Sequence, residues 1–213
     1  MLAVDASGSV DEREFALQMG GIAAGFRDPA VQEAIARGPL GRIAVTVAIW
    51  AEANRPKYAM PWRMIETAAD AEAFAAVVER TPRTIASGGT GIGKAIWFSL
   101  TQIRDNEFQA TRRVIDLSGD GRETAPREWS VLTQQATQAA RAFDVTINGL
   151  AILNDEPALE AYYRRHVITG FGAFTMTAAD YEDVAEAMRR KLLREISYEP
   201  EVSFAPPLEP ALD

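Results

Sequence analysis

The chain has 213 residues with no cysteine and one histidine, and its 30 acidic and 22 basic residues give a formal net charge of −8. This length fits one domain with a sizeable core, while the composition excludes disulfides, thiolate metal sites and a histidine-rich metal centre. The acidic balance and the lack of a basic stripe argue against a nucleic-acid partner, and no run approaches the roughly 18 apolar residues of a membrane span.

Strand and helix patterns alternate along the chain. An apolar start at residues 1–4 is followed by helical spacing of apolar residues over 11–26. Residues 43–50 form an apolar run typical of a strand covered on both faces. Pro61 demotes the segment 57–65 to an edge strand, which we expect to be antiparallel. The remaining predicted helices cover 70–78, a segment carrying Ile96, Leu100 and Ile103, 126–143, 157–163 and 180–194; the remaining predicted strands cover 114–118, 145–153 and 173–177.

This alternation predicts the α/β class, with right-handed βαβ units in a doubly wound, mostly parallel central sheet. Helices are expected on both faces of the sheet, and one edge strand is expected to be antiparallel. The predicted domain covers residues 1–196, without an internal repeat or linker. Residues 197–213 are rich in proline and acids, so we expect an extended tail there.

Polar residues gather in three loops of this predicted sheet. Asp5, Ser7 and Ser9 follow the first strand, Thr90 lies in a glycine-rich loop, and Asp120 stands between two glycines after a later strand. Ligand sites of open α/β sheets lie at the carboxyl ends of the strands, where these loops can meet. Oxygen side chains without thiol or imidazole favour a hard cation.

Together these motifs resemble the von Willebrand factor A domain and its metal-ion-dependent adhesion site. The family pattern is Asp-x-Ser-x-Ser, then Thr in a glycine-rich loop, then Asp before Gly, in that order. The resemblance implies that Ser7 and Ser9 bind a divalent cation directly, that Thr90 binds it directly or through water, and that Asp5 and Asp120 hold metal-bound waters. Mg²⁺ is the expected ion, with Mn²⁺ and Ca²⁺ as alternatives.

The resemblance also implies a function, a divalent-metal-dependent protein-binding module that captures an acidic residue of a partner protein and carries out no catalysis. A narrower similarity is to a bacterial group of these proteins that is functionally unassigned and often exported. It rests on three stretches, 114–121, 171–174 and 181–194. It favours a periplasmic or secreted location, although we expect no signal peptide in this chain because only four residues precede Asp5.

Two residues depart from the family pattern. Asp116 stands where an apolar residue is common, and Gly119 where Thr or Ser is common. Asp116 shares strand parity with Ser118 and Asp120, so we expect it to be buried beside the metal ligands. The change at Gly119 alters the loop geometry expected around Asp120.

Each motif also has a simpler interpretation. Ser9 with Glu12 forms a capping-box pattern, so Ser9 alone predicts a helix N-cap, and Asp120 before glycine predicts a turn. Residues 88–94 imitate a phosphate-binding P-loop, but Ala95 replaces the required Ser or Thr. His166 is expected at the surface, the acids of 180–186 on a solvated helix face, and Trp50, Trp97 and Trp129 in the core or at its rim.

Three other functions stay open at this point. One is an assembly module whose surface pairing ignores metal. A second is a metal-dependent hydrolase with Asp116 and Asp120 as a carboxylate pair beside the ion. A third is weak nucleotide binding through Lys94.

Overall fold

The structure, a computed structural model, describes residues 1–86, 88–126 and 131–197. Of the predicted tail 197–213, only Ser197 lies within this description. The strands are β1 (Leu2–Asp5), β2 (Ile43–Val45), β3 (Val47–Trp50), β4 (Tyr58–Ala59), β5 (Arg63–Ile65), β6 (Arg113–Gly119), β7 (Val145–Ile152) and β8 (Thr175–Ala178). The helices are α1 (Glu12–Arg27), α2 (Pro29–Arg37), α3 (Ala68–Glu79), α4 (Ile92–Arg104), α5 (Thr133–Ala142), α6 (Leu159–His166) and α7 (Val184–Ile196).

The central sheet has the strand order β4-β3-β1-β6-β7-β8. Strands β3, β1, β6, β7 and β8 are parallel, and β4 pairs antiparallel with β3 at one edge. The predicted fold class, including its antiparallel edge strand, is therefore confirmed. Because the chain runs from β1 outward to β3 and then returns past β1 to β6, the strand order reverses between β1 and β6. Ligands of open α/β sheets bind at such a reversal.

Helices cover both faces of this sheet and enclose two apolar cores. Helices α1, α2, α3 and α7 bury one core, in which the rings of Phe26 and Phe74 meet edge to face at 4.8 Å. Helices α4, α5 and α6 bury the other, which contains the fully buried Trp50. Trp97 is half-exposed and Trp129 lies outside the described residues. Burial on both faces explains why β3 is entirely apolar and β1 is apolar up to Asp5.

The apolar run 43–50 was predicted as one strand, but it forms two. The chain changes partners at Thr46, whose hydroxyl donates to the carbonyl of Met60 at 2.6 Å. Strand β2 then pairs with β5 in a separate antiparallel sheet, while β3 joins the central sheet. The predicted edge segment 57–65 is divided in the same way, because Pro61 interrupts it between β4 and β5.

Several helix boundaries also differ from the predictions. Helix α2 was not predicted, although Asp28 accepts hydrogen bonds from the amides of Ala30 and Val31 and Pro29 occupies the first turn, both of which are helix-start signals. Helix α5 begins at Thr133 rather than at residue 126, and α7 begins at Val184 rather than at residue 180. No helix among the described residues is long and apolar enough to cross a membrane.

Candidate metal centre

Asp5 and Asp120 lie at the reversal of the strand order. Asp5 is the last residue of β1, and Asp120 directly follows the neighbouring strand β6. Thr90 lies in the loop that leads into α4, and the amide of Gly8 donates to the carbonyl of Gly88 at 2.7 Å. The three predicted loops therefore meet at the carboxyl edge of the sheet.

The first loop is held in a fixed turn. The Ser7 amide donates to Asp5 Oδ1 at 2.7 Å, and Gln18 Nε2 donates to the Asp5 carbonyl at 3.0 Å. Arg83 Nη2 donates to the carbonyls of Ala6 and Ser7 at 2.8 and 3.0 Å. These contacts use the backbone of the loop and the side chain of Asp5, so the hydroxyls of Ser7 and Ser9 can face the other loops.

Three of the predicted ligands form a continuous row of oxygen atoms. Ser7 Oγ and Ser9 Oγ are 3.2 Å apart, and Ser9 Oγ donates to Asp120 Oδ1 at 2.7 Å. Tyr181 donates its hydroxyl to the other Asp120 oxygen at 2.9 Å. Ser7 and Asp120 are buried while Ser9 is exposed, so both ends of the row lie in the interior and its middle reaches the surface at Ser9.

Thr90 is fixed by the third loop. Its amide donates to Thr124 Oγ1 at 2.7 Å, and the Thr124 amide donates to the Thr90 carbonyl at 2.9 Å. A Cβ built on Gly121 would lie 3.4 Å from Thr90 Oγ1, so the Thr90 hydroxyl lies against the residue next to Asp120. The second and third loops are therefore in contact beside Asp120.

The electrostatics of the site favour an added positive charge. Asp5 is fully buried, and its Oδ2 has no hydrogen-bond partner among the described residues. Burial, together with the nearby charge of Asp120, raises the pKa of Asp5 to about 8. A buried carboxylate with an unpartnered oxygen is costly, and a cation beside it would relieve that cost.

Two tyrosines that the sequence did not reveal border the carboxylates. Burial raises the pKa of both Tyr181 and Tyr163, and the charges of Asp5 and Asp120 add to the shift, so both hydroxyls stay protonated. Tyr181 lies among acids that were expected on a solvated helix face, yet it is buried and hydrogen-bonded to Asp120. In the sequence, the only signal for an inward-facing Tyr181 side chain is its position just before an amphipathic helix.

Gly119 has a steric reason for departing from the family pattern. A Cβ built there would lie 2.7 Å from Asp5 Oδ2 and 2.8 Å from the Tyr163 hydroxyl. The Tyr163 hydroxyl is buried and has no partner among the described residues. Tyr163 therefore places a hydroxyl beside the position where the family commonly carries one on its own Thr or Ser.

The residues that are present fit a hard divalent ion. Two carboxylates and three hydroxyls supply oxygen atoms only. Within the described ranges no group of three or more His, Cys, Asp or Glu forms a metal cluster, so any ion here relies on the hydroxyls. The unpartnered Asp5 oxygen is the atom that such an ion, or a water bound to it, would satisfy.

Asp116 does not lie beside this site, contrary to expectation. Its side chain accepts a hydrogen bond from Lys191, and it is four residues before Asp120, about 13 Å along a strand. The alternation of side chains along the strand correctly placed both residues on one face of the sheet, but it does not tell how far apart they lie along the strand. Asp116 and Asp120 are therefore too far apart to form the carboxylate pair that the hydrolase hypothesis requires.

Of the simpler interpretations, the cap role of Ser9 is wrong, while the rejection of a P-loop and the surface position of His166 agree with the structure. Asp11, not Ser9, caps α1: it accepts from the Glu14 amide, and the Glu14 side chain accepts from the Asp11 amide. The described residues before α4 form no strand, so residues 88–94 do not build a P-loop. His166 is exposed, with its ring 4.9 Å from that of Tyr162.

This division of roles can be tested with two variants. Asp11→Ala is expected to lower the free energy of unfolding by about 1 kcal/mol, the usual cost of a lost N-cap, without changing affinity for Mg²⁺. Ser9→Ala is expected to weaken Mg²⁺ binding at least about tenfold because it removes a proposed ligand. Denaturant unfolding and metal titration of both variants measure this, and an equal effect of the two on metal affinity would contradict it.

The strand order is that of the von Willebrand factor A fold, and solved structures with this fold are similar to the chain. The pilus adhesin SpaC from Lactobacillus rhamnosus GG is 12% identical, with a TM-score of 0.62 over 92% of this chain and 30% of the adhesin. The SpRpn10 VWA domain is 10% identical, with a TM-score of 0.59 over 89% of this chain and 93% of that domain. At such identities the likeness shows the fold alone, and this chain spans less than a third of the adhesin.

A further similar structure is that of proximal thread matrix protein 1 from the mussel byssus, described with a zinc-occupied MIDAS motif. It is 14% identical, with a TM-score of 0.56 over 92% of this chain and 44% of that protein. No curated protein matches the sequence. The chain belongs to the DUF1194 family, described as a protein of unknown function, which matches residues 1–200.

Proposed function

We propose that this chain is a protein-binding module that grips its partner through a divalent cation. Ser7, Ser9 and Thr90 would hold the ion, and Asp5 and Asp120 would supply negative charge and accept hydrogen bonds from its waters. The observation that carries the proposal is the row of Ser7, Ser9 and Asp120 oxygens beside the unpartnered oxygen of Asp5.

The proposed direct ligands suit Mg²⁺. Adjacent ligands of an octahedral ion with metal–oxygen distances of about 2.0–2.1 Å lie about 2.9 Å apart. The Ser7 and Ser9 hydroxyls, two of the proposed direct ligands, are 3.2 Å apart, which is close to that value. Mn²⁺ has the same preference for oxygen ligands and is the second choice, and Ca²⁺ is the third.

The ligand set also supports a role in binding. With hydroxyls as the direct ligands, the ion keeps most of its positive charge and attracts an external carboxylate. Ser9 is exposed while Ser7 and Asp120 are buried, so the open side of the site faces solvent at Ser9. We therefore expect an acidic residue of a partner protein to complete the coordination, and no catalysis by the domain itself.

The pilus adhesin among the similar structures supports an exported, surface-associated role for this chain. The competing function is an assembly module that pairs without metal. Only the metal-dependent binding module predicts that chelation of the metal releases the partner.

An array of synthetic peptides tests the proposal. Each Asp- or Glu-containing peptide is matched by its Asn or Gln version, and the chain is applied with Mg²⁺ or with EDTA. The proposal expects acidic peptides to be retained only with Mg²⁺, and their amide versions not at all. Retention that survives EDTA would favour the assembly module, and Ser7→Ala serves as the control that removes the metal without touching the outer surface.

A further inference from the structure

A second polar cluster lies inside the domain, on the α7 face of the sheet and away from the candidate metal centre. Lys191 of α7 has a fully buried side chain, and that of Asp116 on β6 is 1% exposed. Lys191 Nζ donates to Asp116 Oδ1. The other oxygen, Asp116 Oδ2, is buried and has no hydrogen-bond partner among the described residues.

Glu195 completes this cluster one helical turn after Lys191. Its Oε2 is 3.9 Å from Lys191 Nζ and accepts a hydrogen bond from Asn148 Nδ2 at 3.1 Å. Asn148 is itself oriented, because its Oδ1 accepts from the Phe174 amide at 3.1 Å. The ring of Phe174 lies 5.5 Å from Lys191 Nζ. The amine of Lys191 and the carboxyl groups of Asp116 and Glu195 are thus held together beside the aromatic ring.

An ionised pair in this position is costly. Removing an ammonium and a carboxylate from water has a large desolvation penalty, which only complete hydrogen bonding offsets, and Asp116 leaves one oxygen unpartnered. Burial raises the pKa of Asp116 above its ordinary value, which favours the neutral acid. Transfer of a proton from the amine to the carboxylate would leave a neutral nucleophile in contact with a neutral carboxylic acid.

We propose that Lys191 and Asp116 are joined by an amide bond between Nζ and Cγ, formed with the help of Glu195. Counted from the ammonium and the carboxylate, the net reaction is loss of one water, so no oxidant, reductant or other reactant is needed; Nζ becomes a nucleophile once it has given up a proton. Nζ attacks Cγ, a C–O bond of the carboxyl group breaks, and the oxygen leaves with two of the ammonium protons as water. The third proton stays on the amide nitrogen.

Glu195 is placed to move these protons. It lies close to Nζ and is fixed by Asn148, so it can accept a proton from the amine and return it to the leaving oxygen. The buried geometry holds the reacting groups in contact, which is the main advantage of an intramolecular reaction. The product is neutral and removes both buried charges. It ties the central strand β6 covalently to the C-terminal helix α7.

The mass of the intact, denatured chain tests this proposal directly. We expect the wild-type protein to be lighter than its sequence by one water molecule, and proteolysis to yield a branched peptide joining residues around Asp116 and Lys191. Lys191→Arg keeps the charge but cannot form the amide, so it is expected to have its full sequence mass. Glu195→Gln keeps the shape and is expected to accumulate as unlinked chain.

A wild-type chain of full sequence mass would overturn the proposal. A loss of water that persists in Lys191→Arg would also overturn it, since it would indicate another dehydration. Examples are a cyclic imide at Asp116 or a reaction of the Met1 amino group, which donates at 2.9 Å to the carbonyl of Val114 on the same strand as Asp116. Linkage in Glu195→Gln at the wild-type rate would overturn the role of Glu195. None of these results depends on metal binding, so the two proposals stand or fall separately.

Discussion

Asp5→Asn is expected to make the metal-free protein more stable at neutral pH while abolishing its affinity for Mg²⁺. The folded pKa of Asp5 is raised from 3.8 to about 8, so the folded state holds a proton that the unfolded chain releases. Stability of the metal-free protein therefore falls as pH rises from about 4 to about 8, by up to about 1.4 kcal/mol per pH unit. The amide introduced by the substitution would carry no charge and would retain the oxygen that accepts from the Ser7 amide.

Denaturant unfolding in EDTA measures this effect. We expect the variant to exceed the wild type by about 2–4 kcal/mol near pH 7 and by little below about pH 4, where the carboxyl is protonated in both states. Saturating Mg²⁺ is expected to stabilise the wild type, by about 2.7 kcal/mol at a hundredfold excess over Kd, and to leave the variant unchanged. Asp155→Asn, at an exposed position, is the matched control and should show neither effect. A variant that binds Mg²⁺ normally would contradict the role given to Asp5.

Gly119→Thr, which restores the residue type common in the family, is expected to damage this protein. The added Cβ would lie 2.7 Å from Asp5 Oδ2 and 2.8 Å from the Tyr163 hydroxyl, distances at which something must move. Such overpacking typically costs about 1–3 kcal/mol, and displacement of Asp5 is expected to weaken Mg²⁺ binding at least about tenfold. Unfolding and metal titration of the variant check both effects.

A second substitution separates steric conflict from a general effect of replacing glycine. Tyr163→Phe removes one of the two conflicting oxygens, so the double variant is expected to recover part of the lost stability. Gly20→Ala is the control, because nothing lies within 4 Å of the added Cβ and the substitution in a helix is expected to stabilise by about 0.5–1 kcal/mol. Mg²⁺ binding by Gly119→Thr as tight as that of the wild type would contradict the predicted displacement of Asp5.

The sequence predicted the central sheet, and the meeting of three polar loops at its carboxyl edge, where the signal was local. Apolar runs indicated the parallel strands, and the loops carrying Asp5, Thr90 and Asp120 followed from residue types at strand ends. Parity placed Asp116 on the correct face of the sheet. All of these patterns depend on residues that are close together in the chain.

What the sequence could not predict depends on distant residues. The break at Thr46 arises because its hydroxyl bonds to the carbonyl of Met60, and nothing in the run 43–50 signals that partner. Tyr163 and Tyr181 reach the carboxylates from elements more than 40 positions away in sequence from Asp120. Asp116 was assigned to the wrong end of the sheet because its partner, Lys191, lies on the last helix.

Calorimetric titration of the metal-free chain with Mg²⁺, repeated with Mn²⁺, tests the central claim most directly. The proposed site predicts saturable binding of a single ion by the wild type, and loss of that binding in both Ser7→Ala and Asp120→Ala, while Asp155→Asn binds like the wild type. A wild-type chain that binds neither ion, or Ser7→Ala and Asp120→Ala variants that bind with undiminished affinity, would contradict it.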